Sequence, residues 1–191
     1  MRTAFLAVAL LLGPAGPALA QAGPPYAPTR DVTISYRVTA PGQPASEVRI
    51  ASRAGGTPMR VDLLAEGTYL LFDRKAGVMT MVVPEERMAL DLPLAAGQQD
   101  FVLNDRMRFV RRGADTVAGL GCTVWDVTLA GERSTACVSE DGVMLRLVGR
   151  RGGSGRSVME ASAVVFGPHA DDLFVPPAEF ERERAVPVAP P

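Results

Sequence analysis

The residue types that most often carry chemistry are sparse in this 191-residue chain. His169 is its single histidine and lies in the turn-like run GPHADD, beside Asp171 and Asp172. A metal site needs three or four ligands fixed in space, and a Ser-His-Asp triad would have to use this same histidine. With no second histidine, the run reads as a solvated loop. The carboxylate pairs Glu85-Glu86, Glu140-Asp141 and Asp171-Asp172 are adjacent within turns, where both groups are hydrated. G-x-S-x-G, P-loop and G-x-G-x-x-G fingerprints are absent. Gly152-Gly153-Ser154-Gly155 is glycine-rich, but no helix start follows it to hold a phosphate. The expectation is a non-enzymatic protein with no metal and no cofactor.

Two further residue classes carry information. Cys122 and Cys137 are the only cysteines. The segment CTVWDVTL alternates from Cys122 to Leu129, Ala130-Gly131-Glu132 signals a turn, and Arg133–Ser139 can return as its partner strand. A regular hairpin pairing 122 with 137 would centre one residue before the glycine, so a bulge or a diagonal pairing is required. In an oxidising compartment the two cysteines are expected to bond. Closing a loop of this length contributes about 3 kcal/mol in the chain-entropy picture. The second class is methionine, with seven beyond Met1, most of them in alternating segments. Methionine adapts to irregular shapes and recurs on promiscuous apolar surfaces.

Compartment follows from the N-terminus. Arg2 supplies a positive start, Ala4–Leu12 is an unbroken apolar run, Gly13-Pro14 breaks it, and Ala18-Leu19-Ala20 forms an A-x-A cleavage site. A bilayer span needs about 20 apolar residues, and this run is much shorter. Residues 1–20 are therefore expected to be a signal peptide cleaved after Ala20, leaving a periplasmic mature chain without a transmembrane segment. A formal net charge of -1 argues against nucleic acid as a partner. All basic residues but Lys75 are arginine and are scattered along the chain, as a coding bias would leave them.

The elements that must position these residues read as strands. Residues 21–30 form a Pro-rich lead-in. From Asp31, short alternating runs follow one another: Val32–Val38, Val48–Ile50, Met59–Leu63, Thr68–Phe72, Val78–Val83 and Arg87–Leu92, each ended by turn residues. Short connections between successive runs indicate a meander. Gln98–Met107 has the spacing of one short helix, or a strand near Met107–Arg112 follows instead. Strands at Val143–Val148 and Ser157–Phe166 complete a single domain over 31–180, and the charged, Pro-bearing tail 181–191 is expected to be disordered. The runs Val78–Val83 and Leu70–Phe72 are apolar on both faces, Thr80 excepted. An antiparallel strand with one wet face alternates, so both faces here must be covered or must line an apolar cavity. The cavity lining expected from these strands is Met59, Val61 and Leu63, then Tyr69 and Leu71, then Met79, Met81 and Met88, with Trp125 from the cysteine hairpin.

Four fragments in order, YLLFD from Tyr69, VMTMVVPEERM from Val78, GLGCTVWDV from Gly119 and DLFVPPAEF from Asp172, resemble exported proteins with a LolA-like fold and their uncharacterised relatives. The resemblance spans most of Val32–Phe180. It implies a mainly β protein, a strongly curved antiparallel sheet or half-open barrel with one or two short helices, whose apolar concave face carries acyl chains in the best-known members. The arginine on which those carriers depend has no counterpart that can be matched here, so no ligand residue is transferred. Two functions follow as expectations. One is a periplasmic binding protein for a lipid or other apolar ligand on the concave face. The other is an envelope structural or sensory module that binds a protein through a sheet edge.

Overall fold

The computed structural model describes residues 23–64, 67–94, 103–149 and 155–185. Twelve strands form one sheet: β1 (Val32–Thr39), β2 (Ser46–Ser52), β3 (Met59–Leu63), β4 (Thr68–Asp73), β5 (Val78–Val83), β6 (Met88–Pro93), β7 (Arg108–Val117), β8 (Leu120–Leu129), β9 (Glu132–Val138), β10 (Met144–Gly149), β11 (Ser157–Phe166) and β12 (Glu181–Arg184). Their spatial order is β12-β6-β5-β4-β3-β2-β1-β11-β10-β9-β8-β7. The fold is mainly β, one long curved sheet that does not close. Among the described residues, helical structure is confined to two 3-10 turns, Pro84–Glu86 and Asp171–Phe174.

The order describes two meanders joined at β1. Strands β1 to β6 run outward on one wing, and β7 to β11 return on the other until β11 pairs with β1. Two-residue turns set the long hairpins. Ala130 and Gly131 both take positive φ between β8 and β9, and Ala118 and Gly119 do so between β7 and β8. Such paired left-handed residues match the twist of the flanking strands. The first of these turns fixes the cysteine register. Val124, not Cys122, lies opposite Cys137, so the Cys122–Cys137 disulfide, with Cα atoms 5.5 Å apart, bridges the pair diagonally.

The most buried cluster sits where the wings meet. Val32, Ile34 and Tyr36 of β1 join Leu145, Ala161 and the disulfide. The Tyr36 hydroxyl donates to the Met144 carbonyl over 2.7 Å, and burial raises its pKa. A second cluster gathers Leu103, Trp125, Val127, Ala136 and Val138 on the β8–β9 hairpin. The lead-in is stitched to the sheet rather than trailing from it. Thr29 N–H donates to the Asp141 carbonyl, Gly55 N–H to the Pro28 carbonyl, and Tyr26 stacks on Phe109.

Two expectations need correction or restriction. The tail read as disordered contributes β12, which pairs in parallel with the edge of β6, with Glu181 opposite Met88 and Arg184 opposite Asp91. Its lack of apolar residues is no obstacle there, because an edge strand needs backbone partners and one anchored end. Half of the helix expected at Gln98–Met107, residues 98–102, lies outside the described residues; the other half is not helical, Asp105 and Arg106 forming a turn, and strand β7 begins at Arg108. The expected signal peptide also lies outside them. No helix among the described residues is long and apolar enough to cross a membrane.

Candidate functional site

Strands β3 to β6 pair without a bulge, so their registers assign every side chain to a face. One face carries the rows Met59–Phe72–Met79–Leu92 and Val61–Leu70–Met81–Leu90, with Val83 opposite Met88 at the end. Of β2, Ile50 stands opposite Val61 and Val48 opposite Leu63, while the Met59 row ends on Ser52. All of these side chains but Ser52 are apolar. Met59 and Phe72 are buried, while Leu70, Met79, Met81 and Met88 are half-buried. Leu94, just beyond β6, packs against the same cluster. This is an apolar surface five strands wide, and methionine supplies four of its side chains.

The opposite face carries Arg60–Leu71–Thr80–Asp91 and Asp62–Tyr69–Val82–Ala89. Of the side chains expected to line one cavity, Met59, Val61, Leu63, Met79, Met81 and Met88 therefore come together on the first face. Tyr69 and Leu71 do not. Strand alternation puts them on the second face, because Leu70 and not Leu71 pairs with Val61 and Met81. Trp125 lies on the other wing, in its own cluster with Phe109 edge-on at 6.3 Å. Its indole N–H is buried without a hydrogen-bond partner among the described residues.

The second face is covered by the C-terminal strap, residues 167–185. Phe180 packs on Tyr69, Leu71, Val82 and Ala89. The strap is anchored near its start by His169, whose backbone N–H donates to Asp31, whose carbonyl accepts from Arg53, and whose ring meets Phe174 edge-on. Arg53 also pairs with Asp171. The strap ends on β12, where Arg182 clamps Asp91 with two bonds of 3.0 and 3.1 Å. Thr80 donates to the same carboxylate over 2.7 Å. Burial pushes the Asp91 carboxyl up, but the bonds from Arg182 and Thr80 and the charge of Arg184 outweigh it, leaving the group below the usual carboxylate value. Between strap and sheet lies a cleft of about 680 Å³. Its walls include Leu71, Val78 and Thr80 of the sheet, Phe174 and Val175 of the strap, and Lys75 at the β4–β5 turn.

Sequence reasoning missed this cleft and the Thr80–Asp91–Arg182 cluster. A signal was present. Thr80 is the single polar residue of Val78–Val83, and Asp91 is the single charge of Met88–Pro93. Two lone polar residues on neighbouring strands of a meander are expected to meet, and they lie directly opposite each other. Among the described residues no group of three or more His, Cys, Asp or Glu side chains could hold a metal ion.

No protein-family model and no curated protein matches the sequence. Solved structures do match. An uncharacterized conserved protein from Thermus thermophilus is similar over 82% of this chain and 91% of its own, at 11% identity and a TM-score of 0.59. The two share the fold. MucB in complex with MucA(peri) is similar over 83% of this chain at 17% identity and a TM-score of 0.45; the chain spans 57% of MucB. A LolA superfamily protein from Nitrosomonas europaea is similar over 78% of this chain and 91% of its own, at 12% identity and a TM-score of 0.40. The mainly β architecture expected from the sequence thus has a counterpart in the Thermus thermophilus protein, and that likeness speaks to the fold alone.

Proposed function

We propose that the protein is an exported, periplasmic binding module that holds a lipid or other apolar ligand on the methionine-rich face of β2 to β6. The observation that supports this is the pair of unbroken apolar rows, Met59–Phe72–Met79–Leu92 and Val61–Leu70–Met81–Leu90. Leu70, Met79 and Met81 in the middle of these rows stay half-buried while the reverse face of the same strands is covered by the strap. Soluble proteins rarely leave a contiguous apolar patch of this breadth without a partner for it. Unbranched methionine side chains suit a ligand of variable shape. The export reading of residues 1–20 supplies the compartment.

A second reading, docking of a partner protein strand, is favoured by one feature. β7 ends the sheet order and is exposed over nearly its whole ten-residue length, and such an edge can accept a strand. Native mass spectrometry of the protein purified from an oxidising compartment, with solvent extraction of bound material, separates the two. A recurring added mass identified as a phospholipid or fatty acyl group, lost in a Met81→Glu variant, is the expected result. A clean apo mass that resists loading with added lipid would overturn the ligand reading in favour of the strand-docking one.

A further inference from the structure

We propose that the cleft beneath the C-terminal strap is a second binding site, for an anionic amphiphile: a carboxylate or phosphate head on an apolar body. It lies on the face opposite the methionine rows and is independent of any ligand held there. Its volume, about 680 Å³, falls in the range of small-molecule pockets, roughly 300–1,000 Å³. Its apolar walls come from both sides. Leu71 and Val78 rise from the sheet, and Phe174, Val175 and Pro176 descend from the strap. Val175 is 55% exposed, an apolar side chain left uncovered at this site.

The charge inventory selects the head group. Four cations line the cleft: Arg53, Lys75, Arg182 and Arg184. Two are spent within the protein, Arg53 on Asp31 and Asp171 and Arg182 on Asp91. Lys75 and Arg184 make no ion pair among the described residues, and the charge of Arg184 reaches Asp91 only at longer range. Of the three lining carboxylates, Asp91 and Asp171 are held by those arginines, and Asp73 accepts from the backbone N–H groups of Lys75 and Ala76. The four lining cations exceed the three lining carboxylates by one, and Lys75 and Arg184 are the two outside any ion pair, beside apolar walls. A neutral apolar ligand leaves both cations unused; an inorganic anion leaves the walls unused. An amphiphile with one anionic head uses both.

The test is calorimetric titration of the intact mature protein with three probes below their micelle concentrations: laurate, dodecyl phosphate and dodecanol. The expected result is binding of one or both anions, with dodecanol at least tenfold weaker, and the better anion identifies the head. The double variant Lys75→Ala/Arg184→Ala is expected to lose about 10- to 100-fold in affinity, since a charge-assisted hydrogen bond is worth about tenfold or more. Both replaced side chains are exposed, so folding is unaffected. Met81→Asp, on the other face, is expected to leave this binding unchanged. Equal binding of dodecanol, an unchanged double variant, loss of binding in Met81→Asp alone, or no heat with any probe would each overturn the proposal.

Discussion

Trp125 is the only tryptophan, and its environment separates two contributions that usually travel together. The ring is buried with Leu103, Val127, Ala136 and Val138 around it, while its indole N–H has no acceptor among the described residues. A buried donor without a partner costs about 1–3 kcal/mol, so part of what the ring contributes by leaving water is cancelled by its own N–H. Trp125→Phe keeps most of the apolar area and deletes the orphan. It is expected to change the urea-unfolding free energy by no more than about 1 kcal/mol, whereas Trp125→Ala is expected to cost about 3–5 kcal/mol. A phenylalanine variant as damaged as the alanine one would mean that the indole N–H is satisfied in solution. Asp91 shows the complementary case, a buried acceptor whose three bonds from Thr80 and Arg182 make its burial tolerable.

At the scale of elements, the strap determines what the second face of the sheet can be. Tyr69, Leu71, Val82 and Ala89 form a small apolar patch, and Phe180 closes it. Phe180→Ala opens that patch and loosens the segment that delivers β12 to β6. The expected cost is about 2 kcal/mol, below the value for a fully buried phenylalanine because Phe180 is only half-buried. Amide exchange is expected to quicken at Glu181 and Ala185, whose N–H groups bond to the carbonyls of Arg87 and Asp91; unchanged exchange there would show that β12 holds without its anchor. The same segment shows where sequence was legible. The strands β1 to β6 and β8 to β11 could be read from period-two alternation and from turn glycines, because both are local signals. The position of Gly131 likewise narrowed the cysteine pairing to a bulge or a diagonal, and the β8–β9 register decides for the diagonal. β12 was not, because ERER has no apolar alternation and its partner strand lies far back in the chain, beginning at Met88. The faces of β4 were misread for a related reason. Leu70, Leu71 and Phe72 are all apolar, so alternation is silent there and only the pairing with Val61 and Met81 decides which side each takes.

At the scale of the whole molecule, carboxylates join segments that the sheet alone leaves apart, and this fixes the acid response. Asp141, on the β9–β10 turn, accepts from Arg30 over 2.8 Å and from Thr29, holding the lead-in. Asp31 accepts from the backbone N–H groups of Ala54 and His169, holding the β2–β3 turn and the strap. Asp115 accepts from the Thr116 N–H and from Arg146 over 2.6 Å, tying β7 to β10 across the curve of the second wing. Each of these carboxyls is held below its ordinary value of 3.8, chiefly by those bonds: Arg30 for Asp141, the Ala54 amide for Asp31 and the Thr116 amide for Asp115. A folded-state value below the unfolded one means that the unfolded chain binds more protons, so stability rises with pH through this window. The contribution is present in full above the unfolded value of 3.8 and disappears as pH falls through the lowered folded values. The urea midpoint is therefore expected to fall steeply below about pH 4. Asp141→Asn is expected to be less stable than the parent at about pH 7, and the difference is expected to shrink on acidification to about pH 2, as the parent carboxyl takes up its proton. A gap between the two proteins that is the same at both pH values would show that the aspartate acts through its shape on the turn and not through its charge on the lead-in.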